Sequence, residues 1–381
     1  MVSVDTKLNI GYSFWGFLSD YKIENGKEIS TPDGNATYSY SIIYELQKRG
    51  HQVFAMMPDR DKESVKIFGK FAFKSFSQNT RWIAYNNLKQ THYENNHIIE
   101  YLFPKLDILL IEWRFPIVGR NINEDGTFTN ILQKDLLYQE SILRFYKGTN
   151  TKIIILDLDH KLTTIDEGKW YPDAIFETSE KPINNFIKRT SVKIPTIIDE
   201  LLQFKTTNIN KDKHLVYIGS RYERDEIIDK YIKNYALENK NKVHFYGNWR
   251  DYPNKLKESE ERWKGIIFNK RITVKDFWNV YHDACFVPLL GKQSYFDSGF
   301  ITARIFESVL FGSLPLGFKE HYGIEKYCLK TVDNYTEYKE LIQPLLNGSI
   351  NRDKLRKQQV EMLESFDVKY FVDKMMEVLW V

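Results

Sequence analysis

Short runs rich in Ile, Val, Leu and Phe recur along the chain, separated by segments whose apolar positions return at helical spacing. Apolar strands alternating with amphipathic helices are the mark of parallel strands joined by helical crossovers, so the pattern predicts an α/β fold. In the first half strands are expected at Leu8–Phe14, His51–Met57, Leu106–Trp113, Thr151–Asp159 and Asp173–Ser179. In the second half they are expected at His214–Ser220, Lys242–Asn248, Ala284–Leu289 and Leu314–Phe318. No period of about 20 to 50 residues repeats, so two similar sheets are expected rather than a solenoid. The stretch Leu201–His214 between the two series is polar and without periodicity, and the domain boundary is placed there, giving domains 1–200 and 201–365. The closing segment Val368–Val381 is amphipathic; it is expected to cover a sheet or, as a helix over 366–381, to pack back on the first domain.

A length of 381 residues is enough for two domains with real cores. No apolar run approaches the roughly 18 residues that cross a bilayer. The N-terminus, MVSVDTKLNIGYSFWGF, lacks the basic and apolar regions of a signal peptide, and a cytoplasmic protein without membrane contact is expected. Two cysteines, Cys285 and Cys328, in apolar or mixed surroundings argue against a disulfide framework or a cysteine metal site and read as buried, inert thiols. Lys and Arg number 54 against 51 Asp and Glu, a net charge of +3. Any polyanion-binding face must therefore be local.

Four segments carry candidate chemistry. After the first strand comes a long polar loop ending in Pro32-Asp33-Gly34-Asn35, then a helix in which Tyr40, Ile43, Tyr44 and Leu46 or Gln47 follow the helical period. Gly34 lets backbone approach an anion or sugar at the helix N-terminus, although capping by Asp33 or Asn35 explains the same residues. The second segment, ILDLDHKLTT, ends a buried strand in Asp157, Asp159 and His160, with the two carboxylates on one face by alternation. Strand carboxyl ends face the ligand crevice of open parallel sheets, so these groups suit metal binding, base catalysis or helix capping. The third, YIGSRYERDE, offers Ser220, Arg221 and Arg224 to a diphosphate, or a surface helix pairing those arginines with Glu223, Asp225 or Glu226. The fourth, FDSGFITARIFESVLFGSLPLGF, is expected to form a helix over Ile301–Phe311 with Gly299 before its N-terminus. Its Glu307 can grip both hydroxyls of a ribose or pair with Arg304 at i, i+3.

The order of these segments resembles the sugar-nucleotide glycosyltransferases of the GT-B type. PDGNATYSYSIIYELQKRGHQV is similar to that family's glycine loop, helix and Gly-His turn; DAIFETSE, LVYIGS and VHFYGN resemble its later strands. RIFESVLFGSLPLGF is similar to its nucleotide-site pattern of a glutamate, an apolar helix end, Gly, a small residue and a strand. Within the family the chain looks most like the DNA α-glucosyltransferases of T-even bacteriophages, through LDLDHKL, PDAIFETSE and the Ser298-Gly299-Phe300 run. It departs at Gly299, which stands where the widespread retaining pattern has the first of two glutamates; Asp297 is a carboxylate nearby. Its Arg-x-x-Glu version also resembles spore-coat and cell-surface glycosyltransferases.

The resemblance implies two Rossmann-like domains with an interdomain cleft, the first binding the acceptor and the second the nucleotide sugar. It implies a UDP-sugar co-substrate with no tightly bound cofactor, and leaves divalent metal open. Glu307 would hold the ribose; Gly34, Ser220, Arg221, Arg224, Ser298, Gly299, Phe300 and Arg304 would surround the donor; Asp159 and His160 would face sugar and acceptor. A hydroxymethylated base in duplex phage DNA, 5-hydroxymethylcytosine, is the expected acceptor, with retention the expected outcome; a cell-surface glycan, protein or small molecule is the alternative acceptor. In KIFGKFAFKSFSQNTRW cations interleave with aromatics, so Lys70, Lys74 and Arg81, with Arg114 and Arg120, are candidate DNA contacts, while Phe68, Phe71, Phe73 and Phe76 equally suit a core. A non-enzymatic nucleotide-sugar or nucleic-acid binding module is the third possibility.

Overall fold

The computed structural model describes residues 7–13, 18–24, 27–32, 36–57, 80–84, 103–113, 132–182, 186–203, 212–247, 249, 253–272 and 274–380. In the first half, β1 (Asn9–Ser13), β4 (Gln52–Met57), β5 (Thr80–Ala84), β6 (Ile108–Trp113), β7 (Lys152–Asp157), β8 (Ala174–Glu177) and β9 (Arg189–Ser191) form one parallel sheet in the order β5-β4-β1-β6-β7-β8-β9. An antiparallel hairpin, β2 (Leu18–Glu24) and β3 (Lys27–Pro32), leads into helix α1 (Ala36–Lys48). Helices α2 (Leu132–Lys147) and α3 (Thr164–Trp170) complete the crossovers. Residues of β6 alternate between two cores: Ile108 and Leu110 pack with α1, whereas Leu109, Ile111 and Trp113 pack on the opposite face. Burial on both faces is why these strands are almost wholly apolar, each such side chain contributing about 1.5–3 kcal/mol.

In the second half β10 (Leu215–Ile218), β11 (Val243–Tyr246) and β12 (Ile266–Asn269) pair in parallel, as do β13 (Val287–Pro288), β14 (Pro315–Phe318) and β15 (Thr331–Val332). A parallel bridge between Leu215 and Phe286 sets β10 beside β13 and joins the two sets. The helical run after β10 passes through a π-turn at Ile228–Ile232 into α4 (Lys233–Glu238). Helices α5 (Pro253–Arg262), α6 (Val274–His282), α7 (Gln293–Ser298), α8 (Arg304–Leu310), α9 (Tyr338–Leu346), α10 (Arg352–Glu361) and α11 (Val368–Glu377) follow. Helix α11 lies against the first half: Arg49 Nη1 is 2.5 Å from Asp373 Oδ1, Phe371 meets Phe176 edge-on at 5.7 Å, and Val368 N donates to Thr196 O at 2.8 Å.

Two sequence expectations need correcting. The long polar loop after β1 is the β2–β3 hairpin; the sequence there alternates polar with apolar residues, and Asn25-Gly26, the strongest short hairpin signal, separates the paired Glu24 and Lys27. The helix expected over Ile301–Phe311 is shorter, Arg304–Leu310, and a second helix, α7, precedes it. Gly299 is the left-handed C-cap of α7, at φ 71°, and α8 starts only at Arg304.

Chain order sets the site. In the first sheet the strands run from β1 outward to β4 and β5, then return to β6 and run the other way; in the second the reversal falls between β10 and β13. Open parallel sheets bind ligands outside the strand carboxyl ends at such reversals.

Candidate functional site

At the second reversal stands Arg304, the first residue of α8. Its Nε donates to the carbonyl of Ile218, the last residue of β10, at 2.9 Å, and its guanidinium lies 5.0 Å from the centre of the Tyr217 ring. Among the described residues it forms no ion pair within 4.0 Å, so the i, i+3 pairing with Glu307 does not occur. Burial works against its charge, yet Tyr217, Tyr281 and Glu307 hold its pKa above the ordinary guanidinium value. The residue after β10, Gly219, is where space runs out: a Cβ there would fall 2.7 Å from Arg304 Nη2 and 2.5 Å from the Tyr217 hydroxyl.

One turn further along α8, Glu307 is buried and accepts a hydrogen bond from Thr37 Oγ1 at 3.1 Å. Thr37 belongs to the first turn of α1, so this bond crosses between the halves. Two more crossings flank it: Tyr295 donates to Asp159 Oδ1 at 3.0 Å, and Glu180 accepts from Tyr327 at 2.7 Å with Lys326 Nζ at 3.3 Å. At the first reversal the buried Glu112, in β6, accepts from the Tyr38 hydroxyl at 2.6 Å, and the Ser13 hydroxyl ends β1.

Asp157 and Asp159 part company because β7 ends at Asp157 and alternation stops there. Asp157 turns inward, accepting the Lys161 N–H at 2.8 Å and pairing with Arg189 at 3.0 Å; burial pushes its pKa up to about 6. Asp159 remains half-buried under Tyr295. His160 takes the left-handed backbone, φ 55°, and its ring meets Tyr295 and Phe300 edge-on at 6.0 and 5.6 Å. Burial lowers its pKa, Arg189 and Lys292 add to that, and Glu177 and Asp159 oppose it.

The remaining donor candidates divide. Arg221 is spent elsewhere: it forks onto Asp225 at 3.0 and 2.6 Å, reaches Glu258 at 2.7 Å, and covers the Trp263 ring. Arg224 is buried and clasps its own loop through the carbonyls of Ser220 and Tyr222, at 3.3 and 2.6 Å. Ser298 accepts the Lys181 N–H at 3.0 Å, and Phe300 packs on Tyr295. Gly299 is closed on one side by Glu180, whose Cβ lies 2.8 Å from where a side chain would start. Gly34, Lys70, Lys74, Arg114 and Arg120 lie outside the described residues; Arg81 lies in the edge strand β5. Thr37, Tyr295 and Lys292 carried no signal in the sequence; Lys292, after β13, is held 3.0 Å from Glu223. Both thiols are buried, and burial pushes Cys285 up to about 11 and Cys328 up to about 12. Among the described residues no cluster of His, Cys, Asp and Glu could hold a metal ion, and no helix is long and apolar enough to cross a membrane.

No protein-family model and no curated protein matches the sequence. Solved structures do. An α-glucosyltransferase in complex with UDP-glucose and DNA containing an abasic site is 11% identical, with 99% of this chain and 100% of that chain covered at a TM-score of 0.64. An α-glucosyltransferase in complex with UDP and a 13-mer DNA containing a HMU base is 11% identical, covering 99% and 100% at 0.61. T4 phage BGT in complex with UDP and Mn2+ is 15% identical, covering 98% and 100% at 0.59. With two parallel sheets, each with its own reversal, and this likeness along its whole length, the chain has the GT-B fold of two Rossmann-like domains.

Proposed function

We propose that the protein is a UDP-sugar-dependent glycosyltransferase that moves a sugar onto a hydroxymethylated base in double-stranded DNA, with 5-hydroxymethylcytosine as the base and retention at the anomeric carbon. The observation that carries this reading is Arg304: a guanidinium fixed to the carboxyl end of β10, at the reversal of the second sheet, with no acidic partner among the described residues. Charge builds on the leaving diphosphate as the glycosidic bond breaks, and a preorganised cation there lowers the barrier directly. Glu307, three residues on, accepts the two ribose hydroxyls. Asp159 and His160, which meet Tyr295 across the cleft, are assigned to the sugar and the acceptor hydroxyl. A retaining course needs no strong base opposite the leaving group. DNA as acceptor is supported by the full-length likeness to two glucosyltransferases determined with DNA. A base inside a duplex is out of reach of such a cleft, so the base must be extruded from the stack.

The test is transfer of labelled sugar from UDP-glucose and other UDP-sugars to duplexes carrying 5-hydroxymethylcytosine, 5-hydroxymethyluracil or unmodified cytosine. Label on the hydroxymethylcytosine duplex alone is expected, with an α-linkage shown by glycosidase digestion. Hydrolysis of the UDP-sugar without label on any duplex would refute DNA as acceptor and direct the search to a glycan, protein or small molecule.

A further inference from the structure

The Asp159–His160 turn rests on a buried ionic cluster for which the sugar-transfer chemistry above has no use. Arg189, in β9, lies among three carboxylates: its Nη1 is 3.0 Å from Asp157 Oδ2 and 2.7 Å from Glu177 Oε2, and its Nη2 is 3.6 Å from Glu167 Oε2. All four groups are buried. Burying such a cluster is expensive, and well-packed apolar residues would serve stability as well or better. What ion pairs of this kind supply is fixed position. Each carboxylate is also held by other donors: Asp157 by the Lys161 N–H at 2.8 Å, Glu167 by the Ile187 N–H at 2.5 Å, and Glu177 by the Ser179 hydroxyl.

His160 sits on this platform. Its Nε2 is sealed from solvent, makes no hydrogen bond among the described residues, and has Glu177 Oε1 as a carboxylate neighbour at 3.4 Å. Its backbone is in the left-handed region at φ 55°, a conformation that costs a non-glycine residue on the order of 1–3 kcal/mol and persists where surroundings impose it. Above the ring are Tyr295 and Phe300 of the other half. The charged groups facing the imidazole are Glu177 and Asp159 on one side of the balance and Arg189 and Lys292 on the other, so burial decides and keeps the ring neutral. A neutral imidazole carries one N–H, and a carboxylate oxygen favours it on the nitrogen that faces it.

Building on the proposed function, we propose that Glu177, held in place by Arg189, is a positioning residue that fixes His160 as the Nε2–H tautomer and leaves Nδ1 as a hydrogen-bond acceptor for a hydroxyl of the bound sugar or of the acceptor. Glu177 itself touches no substrate; it acts through the ring.

Long-range proton–nitrogen spectra of the histidine rings near neutral pH, on the full chain without substrate, test this. The His160 signals are assigned by their loss in His160→Gln. The wild type is expected to show the Nε2–H pattern and Glu177→Ala a mixture of both tautomers. Transfer kinetics supply the second arm: Glu177→Ala is expected to lower kcat/KM by about 10- to 100-fold, by analogy with removal of the group behind a metal-bound histidine. Added to His160→Gln it should lower it no further, since both changes remove the same interaction. An Nδ1–H pattern in the wild type, or losses that multiply in the double variant, would overturn the proposal. Should the alanine variant not fold, Glu177→Met, of similar length and without an acceptor oxygen, is read instead; an unchanged tautomer population there would also overturn it. The spectra need no substrate, so a wild type that transfers no sugar to DNA would refute the proposed function while leaving the tautomer result standing.

Discussion

Replacing Arg304 separates a diphosphate-binding group from a structural one. Among the described residues the side chain makes one hydrogen bond, Nε to the Ile218 carbonyl, and no ion pair, so its Nη1 and Nη2 donors are left for a ligand. A unit charge about 4 Å from a phosphate oxygen at the edge of a protein is worth about 4 kcal/mol before desolvation. Loss of one preorganised donor to a developing negative charge costs about 2.7–4 kcal/mol, or 10²–10³ in kcat. Arg304→Ala should therefore lower kcat for sugar transfer by about 10²–10³. Arg304→Lys keeps the charge, loses the planar fork and the grip on Ile218, and should recover part of that loss. The folding cost is smaller: one charge-assisted hydrogen bond, about 1.5–3 kcal/mol, set against the relief of a half-buried cation. Single-turnover transfer to a hydroxymethylated duplex at saturating UDP-sugar, with thermal melting alongside, reads both quantities. If Arg304→Ala retains kcat within threefold of the wild type while melting normally, Arg304 does not face the diphosphate and the donor site has been misplaced.

Four further outcomes follow from the same geometry. Gly219→Ala puts a methyl group against the guanidinium of Arg304 and the buried ring of Tyr217, so transfer should fall at least tenfold and Tm should fall with it; equal activity would mean that Arg304 need not stay where it is. Arg221→Ala should spare transfer, because its donors are spent on Asp225, Glu258 and Ser259: Tm drops by a few degrees while kcat changes little. Thr37→Val removes the hydroxyl that reaches Glu307 across the cleft and should raise KM for the UDP-sugar about tenfold, with Thr37→Ser restoring it, if that bond sets the carboxylate for the ribose. Burial pushes the pKa of His321 down to about 4. The unfolded chain then binds the extra proton first as pH falls, so stability present above pH 6.5 is lost between there and pH 4, by at most about 3 kcal/mol for this residue. His321→Phe, which keeps the stack on Phe296, should flatten that part of the urea-unfolding profile; an unchanged slope would rule the histidine out as its cause.

The amino-acid sequence determined the class of fold, because apolar runs buried on both faces leave a mark that every residue of a central strand carries. β6, β7 and β14 were legible in this way. Strands β9 and β15 were not, being only three and two residues long, and neither was the β2–β3 hairpin, whose residues alternate with period two instead of running apolar. Arg304 and Glu307 were visible as candidates; which arginine remained for the donor was not. Arg221 and Arg304 look alike in the sequence, each with a carboxylate close by in the chain. Only the tertiary structure brings Glu258 to Arg221, 37 residues away, and lays Arg304 on the end of a strand 86 residues before it. Periodicity is a local property that survives in any fold, whereas the partner a charge finds depends on which distant elements the topology sets beside it.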